Sequence, residues 1–174
     1  MDAALECVAQ FGLEKTSVGD IARVAGVTRP TVYAYFTTRD EILAAAIARA
    51  GRLLALRMSE RIASLKDPAD QLVEAMLIAL REFPVEPALM LLVEPAASRL
   101  RGMKSLSPAA LAAARVVLEP VVARRPSLRA QQDEIAEMMI RMLFSLLTIE
   151  SPALRSETAL RGFLRRRLVP ALGL

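Results

Sequence analysis

The chain has 174 residues, 54% of them apolar, and a net charge of +4, so it can bury a substantial core and its basic balance permits a nucleic-acid partner. Its longest stretch free of Asp, Glu, Lys and Arg is the ten residues Ser105–Ala114, against about 20 mostly apolar residues for a bilayer span, so a membrane-spanning helix is not expected. It has no histidine and one cysteine, Cys7, which removes the commonest acid–base group, an intrachain disulfide and a thiolate zinc cluster; with no glycine-rich phosphate loop either, no cofactor, no metal and no enzyme activity are expected, although carboxylates alone can support catalysis.

The start, Met1-Asp2-Ala3-Ala4-Leu5-Glu6, is acidic and interrupted, unlike a signal peptide, and a cytoplasmic location is expected. Residues 1–50 hold five basic side chains (Lys15, Arg23, Arg29, Arg39, Arg49) against six acidic ones (Asp2, Glu6, Glu14, Asp20, Asp40, Glu41). The basic excess therefore lies beyond residue 50, and any DNA argument for the first part rests on where charges sit.

Ala, Leu, Arg and Glu dominate, and apolar residues recur at three and four, which predicts an all-α fold. A first helix is expected over about residues 2–11, with Leu5, Val8 and Ala9 on one face and Gly12 as its stop. A second follows Ser17: Ser17-Val18-Gly19-Asp20 has the spacing of a capping box, with Asp in place of the usual Glu. Ile21, Ala22, Val24 and Ala25 form its apolar side, and Gly26 ends it. A third begins after Thr28, with Pro30 in the first turn, where its missing N–H costs nothing. Thr38-Arg39-Asp40-Glu41 is a second capping box; it opens a fourth helix that runs to about Lys66, a length of about 42 Å, and is broken by Asp67-Pro68. Joints at Pro84, Pro87, Gly102, Pro126 and Pro152 divide the remainder into helices over about 69–82, 86–101, 108–124, 129–150 and 156–169, for about nine in all.

Residues 17–43 read SVGDIARVAGVTRPTVYAYFTTRDEIL. The Ser17 cap, the Asp20-Ile21-Ala22 core, the Ala25-Gly26-Val27 turn, the run Thr28, Pro30, Thr31, Tyr33, Tyr35 and Phe36, and then Arg39, Glu41 and Leu43 agree together with one pattern. That pattern resembles the N-terminal domain of the TetR family of transcriptional regulators over about residues 3–47. The resemblance implies a three-helix helix-turn-helix DNA-binding domain over 1–47 and a helical ligand-binding and dimerisation domain over 48–174.

In a helix-turn-helix the first helix lies against the DNA backbone and the second presents its N-terminal half to base edges in the major groove. Val24, Val27, Val32 and Phe36 suit the small core between helices, which leaves Thr28, Arg29, Thr31 and Tyr33 facing outward. Arg29 is the candidate for a bidentate contact with guanine, and Thr31 offers a hydroxyl or a methyl to a base. Pro30 lies between them. Tyr33 and Tyr35 are candidate phosphate clamps, and Thr16 and Ser17 sit where a hydroxyl and helix-two N–H groups can meet a phosphate. By the resemblance, Arg39 corresponds to a basic residue that contacts the DNA backbone. Each residue alone has a plainer reading: a packing tyrosine, a helix cap, a solvated arginine.

Beyond residue 50 the resemblance implies a ligand cavity enclosed by helices four to seven and a dimer bundle made by the last two helices. Helix eight supports the second point on its own, because its apolar residues from Ile135 onward cover nearly every direction, as if two faces were buried. The expected dimer residues are Ile135, Met139, Leu143 and Leu146 there and Leu160, Phe163, Leu164 and Leu168 in the last helix. Arg165, Arg166 and Arg167 are expected on a wetter side, with pairing to Glu134 or Glu137 as the alternative. Met76, Leu80, Phe83, Met90, Met138, Met142 and Phe144 are candidate lining for an apolar, adaptable ligand site, and Glu94 its candidate polar anchor; ordinary core packing, or a solvent-facing Glu94, is the competing reading of each.

The expected function is a ligand-responsive repressor. A homodimer would bind a palindromic double-stranded DNA operator and release it when a small, mainly apolar effector binds. The fourth helix would tie ligand site to DNA-binding domain. The alternatives are an activator or an architectural DNA binder without an inducer, and, further off, a helical small-molecule carrier or an enzyme.

Overall fold

Capping side chains set most of the helix starts. The computed structural model describes residues 1–93, 107–152 and 156–174, and among them are nine α-helices and no strand. Helix α1 is Asp2–Phe11 and stops at Gly12, whose φ of 83° favours a residue without a Cβ. Helix α2 is Val18–Val24, opened by a full capping box: Ser17 Oγ accepts from the Asp20 N–H at 3.2 Å, and Asp20 Oδ2 accepts from the Ser17 N–H at 3.1 Å. Helix α3 is Arg29–Tyr33, capped by Thr28 and carrying Pro30 in its first turn. Helix α4 is Arg39–Ala63; Thr38 Oγ1 accepts from the Glu41 N–H at 3.1 Å, and the Glu41 carboxylate accepts from the Thr37 and Thr38 N–H groups. Asp67, Ser107 and Ser156 cap α5 (Pro68–Glu82), α7 (Pro108–Arg124) and α9 (Glu157–Ala171). Helix α6 is the single turn Pro87–Met90, and α8, Gln132–Thr148, follows a 3-10 turn at Pro126–Gln131. No helix of the described residues is long and apolar enough to cross a membrane.

Three boundaries differ from the sequence expectation. Helix α4 ends at Ala63 instead of near Lys66, because the buried Gln71 amide reaches back and donates to the carbonyls of Ile62 at 3.2 Å and Leu65 at 3.0 Å. The expected start of helix eight, near residue 129, is a 3-10 turn. The segment expected as a helix over 86–101 is described only to Val93, as α6 and the turn after it; its remainder and Gly102 lie outside the described residues.

The described residues divide into two compact units, and the division falls inside α4, after Gly51. The first holds residues 1–51 and 84–93. Its core is Ala4, Cys7, Leu13, Ile21, Ala22, Val32, Ile42, Leu43 and Leu91, with Leu5, Val8, Phe11, Val24 and Phe36 packed around it. The inner stripe of α1 is thus centred on Ala4 and Cys7, not on Leu5, Val8 and Ala9: α1 packs against both α2 and α6, Leu5 and Val8 flank the stripe, and Ala9 is exposed. Burial pushes the Cys7 thiol above its ordinary range. Ala25 and Val27 are exposed as well, since the chain has begun to turn: the Val27 N–H donates to the Ala22 carbonyl at 3.0 Å while its side chain faces out. Arg39 ties the unit together. Its Nη1 donates to the carbonyls of Leu13 (2.9 Å) and Thr16 (3.2 Å), and its Nε and Nη2 hold Asp40.

The second unit holds residues 52–83, 107–152 and 156–174, built around α5. Gln71, Leu72, Val73, Ala75, Met76, Leu77, Ile78 and Ala79 are buried in succession, the pattern of a helix covered on nearly all sides. Helices α7, α8 and α9 pack against it with Val117, Leu118, Val121 and Val122, with Ile135, Ala136, Met139 and Ile140, and with Leu164, Leu168 and Val169. Two of the α9 arginines turn toward α5: Arg161 Nη2 meets Glu74 at 2.8 Å, and Arg165 pairs with Asp70, not with Glu134 or Glu137; Arg166 and Arg167 are exposed. Such part-exposed pairs contribute about 0–1 kcal/mol each, so the apolar stripes carry the packing.

Two substitutions measure these tethers. Gln71→Met keeps the bulk of the side chain but leaves two inward carbonyls without a donor; it is expected to cost about 1–3 kcal/mol in urea unfolding. Arg39→Ala is expected to cost a similar amount, about 1–3 kcal/mol, in DNA-free protein. An unchanged unfolding midpoint in either variant would show that the tether is dispensable.

Candidate nucleic-acid interface

Helices α2 and α3 are joined by Ala25, Gly26, Val27 and Thr28, and Gly26, with φ of 66°, makes the reversal. Helix α3 is fastened from beneath by buried Val32 and by half-buried Phe36, whose N–H donates to the Val32 carbonyl at 3.0 Å. Everything else on α3 faces solvent: Thr28, Arg29, Pro30, Thr31, Tyr33 and Tyr35 are all exposed. Tyr33 retains 55% and Tyr35 80% of its accessible surface, which rules out the plainer reading of both as packing residues within this chain. The Thr28 and Thr31 hydroxyls lie 2.8 Å apart, and Thr28 Oγ1 also accepts from the Thr31 N–H at 3.3 Å, so the pair forms one polar edge.

Arg29 does not extend away from the protein. Its guanidinium lies against Gly19 of α2, so close that a Cβ at Gly19 would stand 2.7 Å from Arg29 Cζ. Asp20 is beside it. The Asp20 carboxyl is held below the usual carboxylate range, first by hydrogen bonds from the Ser17 side chain and backbone, with smaller contributions from Arg23 and Arg29. In the sequence Gly19 stands out only by its place in the capping box and as a glycine inside a helix, where it weakens the element.

Two expected DNA contacts are corrected. Thr16 is buried, 2% exposed, and its hydroxyl donates to the Gly12 carbonyl at 2.9 Å, so it caps the end of α1 and presents no hydroxyl to a phosphate. Arg39 is committed to the carbonyls of Leu13 and Thr16 and to Asp40, which makes it an internal staple and not a free cationic contact. Ser17 is exposed, though its hydroxyl is already engaged with Asp20.

The other expected sites fall in the body. Four of the expected dimer residues, Ile135, Met139, Leu164 and Leu168, belong to the protomer's own core: they form the inner stripes of α8 and α9 and cannot face a partner. Leu143, Leu146, Leu160 and Phe163 are half-buried. Of the ligand candidates, Met76 and Phe83 are buried, while Leu80, Met138, Met142 and Phe144 are half-buried. Phe83 and Phe144 meet edge to face with centroids 5.7 Å apart. Met90 belongs to the first unit, and Glu94 lies outside the described residues.

Known proteins share this arrangement. Residues 1–46 match the family described as bacterial regulatory proteins, tetR family. An uncharacterized HTH-type transcriptional regulator of Mycobacterium tuberculosis, found in two strains, is 32% identical over 89 residues; the match takes in 51% of this chain and 44% of that protein. The match thus spans less than half the length of these relatives. Among solved structures, the TetR family repressor AlkX from a Dietzia strain, implicated in biodegradation of n-alkanes, has a TM-score of 0.68 at 19% identity, covering 98% of this chain and 96% of its own. The fatty acid degradation regulator FadR from Bacillus halodurans has a TM-score of 0.63 at 16% identity, covering 94% and 90%. The TetR family regulator PfmR from Thermus thermophilus has 0.56 at 23%, covering 95% and 92%. These likenesses establish a common fold across both units. Over residues 1–46, then, the chain is similar to the bacterial regulatory proteins of the tetR family.

Proposed function

We propose that this protein is a cytoplasmic, DNA-binding transcriptional regulator: a homodimeric repressor that leaves its operator when a small, mainly apolar molecule binds. The observation that carries the reading is the outer face of α3. Thr28, Thr31, Tyr33 and Tyr35 are solvent-facing on a segment held from beneath by Val32 and Phe36; Thr28 also caps the helix, while the two tyrosine rings stand out in solvent. Residues 1–47 serve as the DNA-binding domain. The N-terminal half of α3 enters the major groove, where Thr31 meets base edges beside Pro30, and the Tyr33 and Tyr35 hydroxyls and exposed Ser17 take phosphates.

One short helix reads few bases. A two-fold dimer reads two half-sites about 34–36 Å apart, or a multiple of that. Leu143 and Leu146 of α8 with Leu160 and Phe163 of α9 supply the half-buried apolar surface for such a pairing. Residues 48–174 form the ligand-binding and dimerisation domain, with Leu80, Phe83, Met138, Met142 and Phe144 as the lining of an apolar site that thioether side chains can reshape. AlkX is implicated in biodegradation of n-alkanes and FadR regulates fatty acid degradation, which favours a long-chain aliphatic effector here. Helix α4 is the one helix among the described residues that belongs to both units, and so the natural carrier of the response. By linkage, an effector that releases DNA binds the DNA-free protein more tightly than the operator complex.

Selection from a random duplex library is expected to return a near-palindrome bound by a dimer. A single asymmetric half-site held by a monomer would overturn the dimeric reading, and no enrichment at low salt would overturn DNA binding itself. Saturated fatty acids and n-alkanes, titrated with and without that operator, are expected to include a ligand whose affinity drops when DNA is bound. Equal affinities throughout would remove the release mechanism.

A further inference from the structure

The glycine at position 19 has a consequence for how the DNA-binding helix uses its only arginine, and the inference rests on the DNA-binding reading above. Gly19 is the second residue of α2, a place where any other residue would carry a side chain toward α3. Arg29 is the first residue of α3 and is solvent-exposed, so its side chain is free to extend along α3. It lies instead across the bare backbone of Gly19. A methyl there would stand 2.7 Å from both Nε and Cζ of Arg29 and closer still to Nη2, well inside van der Waals contact. Among the described residues no hydrogen bond holds the guanidinium to this place; the seat is made by the missing side chain, with Asp20 as the neighbouring negative charge.

We propose that Gly19 is a positioning residue for DNA recognition: it seats the Arg29 guanidinium on α2, so that Arg29 contacts the DNA backbone irrespective of sequence and does not read a base. In this kind of domain the first helix of the motif crosses the phosphates while the second reaches base edges. A guanidinium resting on the first helix is therefore on the phosphate side, even though its backbone belongs to the second. Base choice is left to Thr31 and its neighbours. The seat also spares the side chain a loss of rotamer freedom when DNA arrives, since one pose is already favoured.

The test uses the full-length chain and the Gly19→Ala variant. The obstructed atoms are the far end of a flexible arginine, so the variant folds, and alanine in place of a helical glycine leaves the melting temperature unchanged or higher. Binding to the selected operator and to an unrelated duplex is measured across a salt series for wild type, Gly19→Ala, Arg29→Ala and the double variant. Gly19→Ala and Arg29→Ala are each expected to weaken both duplexes by a similar factor, about tenfold per domain, and to lower the salt slope by about one per domain, hence about two for the dimer. The double variant is expected to be no weaker than Arg29→Ala. Wild-type affinity and slope in Gly19→Ala would overturn the proposal, as would an Arg29→Ala protein that loses preference at one base pair while keeping its salt slope. A wild-type chain that binds neither duplex at low salt would instead overturn the DNA-binding reading on which this rests.

Discussion

A helix of five residues has no stability of its own in water, because nucleating a helical turn is costly and so short a segment gains few backbone bonds in return. Whatever α3 does, it does because Val32 is seated in the core with Ile21, Ala22, Ile42 and Leu43, because Phe36 closes against the same group, and because Thr28 caps its first turn. With the helix anchored from below and capped by Thr28, its outward side chains are not needed for packing. That is the reason that two tyrosines and two threonines can stand in solvent without loss to the fold.

The placement of charge follows a similar logic. A net charge of +4 suggests affinity for a polyanion, yet many of the cations are engaged within the protein. Arg39 staples α4 to the loop before α2, Arg161 and Arg165 meet acidic groups of α5, and Arg115 grips Asp133 with two hydrogen bonds. Attraction to a phosphate backbone is a matter of which guanidinium groups are free and which way they point, so the overall charge is a poor measure of it. Asp20 is an example in the opposite sense: an acidic residue close to the exposed face of α3 is occupied as half of a capping box.

In the second unit, helix α5 is buried on nearly all sides, and a polar residue enters that setting only with a task. Gln71 has one: its amide closes the end of α4 by taking up two carbonyls. Its Oε1 has no partner among the described residues, a cost of the order of 1–3 kcal/mol that the surrounding apolar packing offsets. The inner stripes of α8 and α9 serve the same core, which leaves their half-buried and exposed positions for any further contact.

Local chemistry was legible in the sequence. The caps at Ser17, Thr28 and Thr38, the stop at Gly12, the reversal at Gly26 and the break at Asp67-Pro68 depend on neighbours within a few residues, and so the all-α fold could be read directly, while the helix-turn-helix was implied by the resemblance that those residues carry together. Tertiary structure alone decided which polar groups are used up and which apolar faces turn inward. Thr16 and Arg39 look like surface residues until the carbonyls they serve, one of them 26 positions away, are brought beside them. Leu91 joins the first core from far along the chain, the stripe of α1 is rotated toward Ala4 and Cys7 by having two neighbours, and Ile135 and Leu164 are claimed by their own protomer. The physical reason is common to all of them: capping is a contact within one turn of chain, whereas burial and hydrogen-bond satisfaction depend on partners that sequence separation does not reveal.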